Sequence, residues 1–395
     1  MGRSRIWSQL PRLTFWKAVL VLLWVVGAYV AVVRFTKGLG AVTNLRDDFP
    51  WGLWIGFDVL CGVALAAGGF TVAALVYIFD AGKKYHAITR PTILTAFLGY
   101  LLVIVALLFD LGRPWNIWHP IIMWNHHSVM FEVAWCVMLY TAVLALEFSP
   151  VVFERLNWQA PLRLIRSLTI VLVVAGVLLS TLHQSSLGSL YLIVPQKMHP
   201  LWYSPWLPLL FFISAVGVGL AMTIFESFLS HRAFRRELEL DVLTGLARGV
   251  ILVQAIYLTL RFLDLANRGV IGHAFQPSRE AGLFWLETLL MSGVPMVLYS
   301  MPKLVVQRNW LFYGAVCNVL GLVMNRLNVS ITALERWGGA YFPKWQEIVI
   351  TATLVATGFF VFEWVAKNFP VFPREMAAEE AGGRAEGEVS YAQAM

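Results

Sequence analysis

The sequence predicts an all-α integral membrane protein, on three observations. Of its 395 residues, 59% are hydrophobic and only 13% are charged, about half the charge of an average soluble domain. Ten stretches reach or approach the roughly 20 apolar residues that a spanning helix needs. Strict polar–apolar alternation is missing, which points to a helical bundle and away from a β-barrel.

The ten stretches lie near 15–33, 52–79, 91–109, 128–147, 166–187, 207–229, 246–264, 283–301, 310–325 and 346–366. The ninth is the least apolar, because Asn318 and Asn325 interrupt it. The first has basic flanks (Arg3, Arg5, Arg12, Lys17) but no small-residue cleavage site, so it reads as a retained helix rather than a cleaved signal. The net charge of +7 is unevenly distributed across the membrane. Segments on the N-terminal side of the membrane carry 19 Lys and Arg and those on the other side 10, with Arg261 inside a helix. The positive-inside rule explains that excess without nucleic acid and places the N-terminus in the cytoplasm. Ten crossings return the C-terminus to the same side.

An internal repeat divides the chain. A shift of 155 residues lays Pro50-Trp51 on Pro205-Trp206, and seven of the 17 positions in 50–66 are then identical. The same shift lays Glu132 on Glu287 and Arg113 on Arg268. Each unit holds four helices, an even number, so the copies share one orientation and form a parallel repeat. Helices two to five and six to nine are expected as two four-helix bundles, flanked by helices one and ten. The expected organisation is 1–50 for the cytoplasmic N-terminus, first helix and outer loop, and 51–187 for the first bundle. The second outer loop and second bundle take 188–345, and the last helix and a disordered cytoplasmic tail take 346–395. Asp58 corresponds to Ile213 and Tyr100 to Ala255, so a main site is expected in the first bundle.

The polar residues inside apolar stretches are the candidate site. A charge at membrane depth costs at least a few kcal/mol, about 2.5–3.5 by insertion scales. At about 1.5 Å per residue, Asp58 lies roughly 9 Å below the outer face, Glu132 and His183 roughly 6 Å and Tyr100 roughly 14 Å. A carboxylate, an imidazole and a phenol suit a carbonyl or hydroxyl that gains and loses protons, as a quinone head group does. Each residue has a plainer alternative. Tyr100 can serve packing, Asp58 and Glu132 can pair with Arg113 or cap helix ends, and His183 can bond a backbone carbonyl.

A second set lies toward the inner face: Glu147, Glu226 and Glu363. Glu226 is either the mouth of a proton path or a snorkelling carboxylate. A third set in the second bundle, Arg261, Asp264, Glu287, Asn325 and Arg326, reads as a structural ion network or a vestigial site. The outer loops 110–127 and 188–206 are rich in Trp and Pro, as expected of a membrane interface or of a partner-docking surface. Cys61, Cys136 and Cys317 lack CxxC spacing, so neither an iron–sulfur cluster nor a zinc site is expected. Only His183 among the eight histidines is well inside a helix, which argues against a haem held by two histidines.

Asp110-Leu-Gly-Arg-Pro, Ser128-Val-Met-Phe-Glu132, Leu182-His183-Gln184-Ser-Ser-Leu-Gly and Met324-Asn-Arg-Leu-Asn-Val-Ser together resemble the NrfD/PsrC (polysulfide reductase membrane subunit) family, in its ten-helix HybB-like form. The resemblance covers 15–366. It implies a haem-free quinone site, for menaquinone or ubiquinone, near the outer face of a bacterial inner membrane. It implies as partners a ferredoxin-like iron–sulfur subunit on the periplasmic side and a further catalytic or cytochrome subunit. It matches Tyr100, Glu132 and His183, with Asp58, to the family's quinone residues and Glu226 to its inner glutamate; Glu147 is expected beside Glu226 on a proton path, and Arg113, Asp110 and Gln184 in support of the site. The expected function is electron passage between that partner and the quinone pool, with proton translocation. The alternatives are a secondary transporter and a passive membrane anchor of a redox complex.

Overall fold

The computed structural model describes residues 15–79, 85–235 and 237–372. The expected disordered tail falls almost wholly outside the described residues. Among the described residues, ten helices are long and apolar enough to cross a membrane. They are α1 Phe15–Lys37, α2 Trp54–Ile78, α3 Ile88–Asp110, α4 Val129–Arg155 and α5 Gln159–Ile193. The remainder are α6 Leu207–Phe234, α7 Leu240–Asn267, α8 Arg279–Ser300, α9 Arg308–Gly338 and α10 Trp345–Asn368. Among the described residues the only strand-like pairing is an isolated bridge between Arg46 and Phe49. The chain is a multi-span integral membrane protein. Below, "outer" denotes the end that the lysine and arginine distribution assigns to the outside.

Packing neighbours follow two closed circuits. Contacts run α2–α3–α4–α5 and back to α2, and α6–α7–α8–α9 and back to α6. The circuits meet where α6 packs on α2 and α5, and α2 and α6 are the two most buried helices. Small residues permit that approach: a Cβ added to Gly219 on α6 would stand 2.8 Å from the backbone of Ala67 and Gly68 on α2. α1 and α10 pack on each other at the periphery, and α10 also lies on α3.

Two of the prolines inside these helices, Pro150 and Pro295, each have a local remedy. Pro150 in α4 has no N–H for the carbonyl of Leu146, four residues back, and the Ser149 hydroxyl donates to that oxygen at 2.7 Å. Pro295 in α8 likewise cannot serve the carbonyl of Met291. α8 widens into a π-turn over Leu289–Gly293, and the Asn318 amide of α9 donates to the Met291 oxygen at 2.6 Å. α4 and α5 also run two turns past the predicted ends on the inner side. There Arg90 of α3 forms a two-pronged ion pair with Glu154, both contacts at 2.8 Å, and Arg166 joins at 3.0 Å.

The two outer loops differ. In 110–127, Trp115, Trp118 and Trp124 are exposed. In 188–206, Met198, Leu201 and Trp202 are fully buried. The second loop is folded down over the α6–α9 circuit, held by His199 N–H donating to Ala333 O at 2.8 Å and by Arg261 and Arg268 donating to Leu201 O and Pro200 O.

Candidate functional site

α3 and α5 face each other inside the first circuit, and there the Tyr100 hydroxyl and His183 Nδ1 are 2.8 Å apart. Both side chains are completely buried. The ring of Tyr140 from α4 stands edge-on to Tyr100, with centroids 4.7 Å apart. Ser180 lies one turn inward of His183 on α5 and is also fully buried. Gln184 extends its amide to the carbonyl of Val63 on α2 at 3.1 Å. Two polar atoms beside this pair have no partner, His183 Nε2 and Gln184 Oε1, while the Ser180 hydroxyl lies against those of Tyr100 and Tyr140. Buried polar atoms are nearly always satisfied in a folded protein, so two open ones side by side in one core mark a place for a polar guest or water.

The other predicted residues are distributed around this pair. Glu132 stands in the first turn of α4, whose N-cap is Ser128. Its Oε1 is 2.6 Å from the Ser186 hydroxyl, one turn outward of His183 on α5. Asp58 lies in a π-turn of α2, Trp54–Val59, and faces α10, where the Thr351 hydroxyl donates to it at 2.6 Å. Tyr100 and His183 are thus in direct contact, Glu132 flanks them on the outer side, and Asp58 opens on the opposite face of α2. Neither acid pairs with Arg113, which is exposed in the outer loop. Asp110 ends α3, with Oδ1 buried and unpartnered. Glu147 approaches Gly176, on the face of α4 that carries Tyr140.

Glu226 is 9% exposed on α6, with the Thr95 hydroxyl of α3 its neighbouring polar group. It borders a cavity of about 390 Å³ that also reaches Asp58 and Glu363. Glu363 itself is exposed and paired with Lys367.

In the second circuit Glu287 is buried and surrounded by donors. Trp202 Nε1 is 3.1 Å from both of its oxygens. Asn325 donates at 3.1 Å and Asn328 at 2.6 Å, and the Arg261 guanidinium is 3.7 Å away. Arg326 lies 3.7 Å over the Phe211 ring and donates to Phe211 O and Ser214 Oγ.

Comparison with known proteins gives this arrangement a family. A profile described as "Polysulphide reductase, NrfD" matches residues 41–336. The chain belongs to the NrfD family. Within it, the chain is 42% identical over 360 residues to a protein of Nitratidesulfovibrio vulgaris, covering 88% of this chain and 92% of that one. It is 37% identical to the probable Ni/Fe-hydrogenase 2 b-type cytochrome subunit of Escherichia coli, covering 87% and 88%. It is 29% identical to the menaquinone reductase integral membrane subunit of N. vulgaris, covering 93% and 94%.

The E. coli relative's name raises the question of haem. Among the described residues, no group of three or more His, Cys, Asp or Glu is placed to hold a metal ion. His183 is the one described histidine with a buried side chain, and its Nδ1 is engaged with Tyr100. The residues present do not fit a haem with two axial histidines.

Several participants were not evident from sequence. Thr351 belongs to the last helix, nearly 300 positions from Asp58, and no local motif connects them. Tyr140 and Ser180 were detectable as polar positions in apolar stretches, and Ser180 lies three residues before His183, on the same helical face.

Proposed function

We propose that this NrfD-family chain is the quinone-reactive membrane subunit of a multi-subunit respiratory oxidoreductase. The observation that carries the reading is the buried Tyr100–His183 pair with open polar valences beside it, in a chain similar over nearly its whole length to a menaquinone reductase membrane subunit. Tyr100 and His183 share one proton across a 2.8 Å contact, so when His183 Nε2–H gives its proton to a quinone oxygen the Tyr100 proton moves to Nδ1, and a proton relayed from outside the pair replaces it so that no charge is left in the membrane. Glu132, with Ser186, is the route from the pair to the outer side. Gln184, held by the Val63 carbonyl, keeps its oxygen available to a quinol hydroxyl.

In this reading the chain lies in a bacterial inner membrane with both termini in the cytoplasm. Electrons pass between quinone and a ferredoxin-like iron–sulfur subunit seated on the outer face, with a further catalytic or cytochrome subunit beyond it. The exposed tryptophans of loop 110–127 form part of that seat. Protons enter from the cytoplasm at Glu226 or Glu147.

The test is the complex purified with its native partners. Bound quinone whose reduction falls by about 10²–10⁴-fold in His183→Ala, with assembly intact, is the expected result. Full quinone activity in that variant sinks the reading and leaves a passive anchor. For the proton route, Glu226→Gln in proteoliposomes should abolish the membrane potential while quinone reduction persists, and an unchanged potential excludes Glu226 from the path.

A further inference from the structure

α5 carries a serine whose hydroxyl its own helix does not use. Serine and threonine inside a helix often turn the hydroxyl back to the carbonyl four residues earlier. On α5, Thr181 does so to Val177 O at 2.7 Å, Ser186 to Leu182 O at 2.8 Å and Ser189 to Ser185 O at 3.2 Å. Ser180 differs, because no backbone carbonyl takes its hydroxyl. The residue is completely buried and faces two phenols, Tyr100 of α3 and Tyr140 of α4. Ser180 and His183 are three residues apart on one helical face. Three hydroxyls and one imidazole therefore form a row, in the order Tyr140, Ser180, Tyr100 and His183. The 2.8 Å contact of Tyr100 with Nδ1 closes it.

The row can be polarised in two directions. Each hydroxyl has one proton to give and two lone pairs, and a neutral imidazole has one nitrogen of each kind. If Nδ1–H donates to Tyr100, the hydroxyl protons point away from the histidine. The last of them, on Tyr140, then has no acceptor, since no group beyond Ser180 bonds that hydroxyl. If instead Tyr140 donates to Ser180, Ser180 to Tyr100 and Tyr100 to Nδ1, every proton is accepted. Only lone pairs stay empty. An orphaned buried donor is the rarer defect in folded proteins, an under-used acceptor oxygen the commoner one.

The second direction fixes the imidazole as its Nε2–H tautomer. Nε2 is the ring nitrogen without a partner, so the row aims a donor out of the pair. Gln184 Oε1, also open, supplies an acceptor from the next residue of α5.

We propose that Ser180 and Tyr140 are positioning residues of the site. They turn the Tyr100 hydroxyl onto Nδ1, hold His183 ready to donate from Nε2, and return to Tyr100 the proton it gives up. This rests on the quinone reading above. Protons balance along the row. Nε2–H goes to the quinone oxygen, the Tyr100 proton to Nδ1, the Ser180 proton to Tyr100 and the Tyr140 proton to Ser180. A proton relayed from the inner side restores Tyr140. One proton thus leaves the inner side, one appears on the quinone, and each hydroxyl keeps one. His183 ends as the neutral Nδ1–H tautomer, and the electrons come from the iron–sulfur subunit of that reading.

The experiment uses the complex purified with its partners and carrying isotope-labelled histidine. Solid-state nitrogen NMR identifies the His183 signals as those lost in His183→Ala. The wild type should show a bare Nδ1 and a protonated Nε2. A protonated Nδ1 overturns the proposal, and that result needs no activity and no further variant. Ser180→Ala should mix the two tautomers and slow quinone turnover about three- to tenfold at unchanged KM. Ser180→Thr, which restores the hydroxyl, should recover at least half of that loss. In a Tyr100→Phe background Ser180→Ala should cost nothing further, because it acts through the Tyr100 hydroxyl. Full additivity overturns the proposal, as does wild-type turnover with a wild-type spectrum in both Ser180→Ala and Tyr140→Phe. Either result leaves the quinone reading standing as long as His183→Ala is inactive. Full turnover in His183→Ala overturns both.

Discussion

Glu132 and Glu287 are one 155-residue shift apart, and the structure treats them very differently. Glu287 is buried, with donors from Trp202, Asn325 and Asn328 and a guanidinium at 3.7 Å. Glu132 is exposed and has one hydroxyl, from Ser186. A buried charge that is fully surrounded fixes structure, and losing one partner is costly. A group with open valences is free to change partner. The second circuit therefore behaves as a clamp that closes loop 188–206 over the helices, and the first, in the proposed function, as the place where a proton is exchanged.

Three measurements break or sharpen that contrast. The largest effect is expected from Glu287→Ala. It leaves Arg261 buried without its carboxylate, a loss of about 3–5 kcal/mol, so the chain should fail to accumulate or should elute as an aggregate on detergent size exclusion. Normal assembly with lost quinone turnover would reverse the roles of the two circuits. Tyr100→Phe comes next. It removes one hydroxyl from the His183 pair and should slow quinone turnover about tenfold, the worth of one buried hydrogen bond, with the melting temperature nearly unchanged. A large stability loss with wild-type turnover would make Tyr100 a packing residue.

The smallest effect concerns His199, which ties loop 188–206 to Ala333. Burial holds its imidazole below its ordinary 6.5, and nearby His273 and Arg336 add to that against the attraction of Glu280. The folded state therefore binds fewer protons than the unfolded state, and stability falls as pH drops below about 6.5. A thermal melt at pH 5.5 should lie below that at pH 7.5, and His199→Gln should shrink the difference. A difference of unchanged size would remove His199 as its source.

Much of this was legible in the sequence. Ten apolar runs gave ten helices because twenty apolar residues with an internally bonded backbone have few alternatives in a bilayer. His183 and Tyr100 announced themselves as polar groups at costly depth, and the structure brings them within hydrogen-bonding distance. Asp58 was equally conspicuous, yet its direction was not legible. Depth along a helix follows from counting residues, but azimuth depends on helix phase, and the π-turn at Trp54–Val59 alters that phase. The aromatic loops show the same limit. Trp118 and Trp202 occupy similar Trp- and Pro-rich contexts, and only the buried carboxylate below Trp202 separates the exposed one from the buried one.

Asn318 first appeared as a blemish in the ninth apolar run. It serves α8 as the donor that Pro295 lacks, so the two positions form one inherited unit although they lie on different helices. Replacing Pro295 with alanine restores an amide of α8's own and makes the asparagine superfluous, whereas replacing Asn318 alone strands a carbonyl in the membrane interior. The order in which the two substitutions are acquired therefore matters: proline can leave before asparagine, and asparagine cannot leave first without cost.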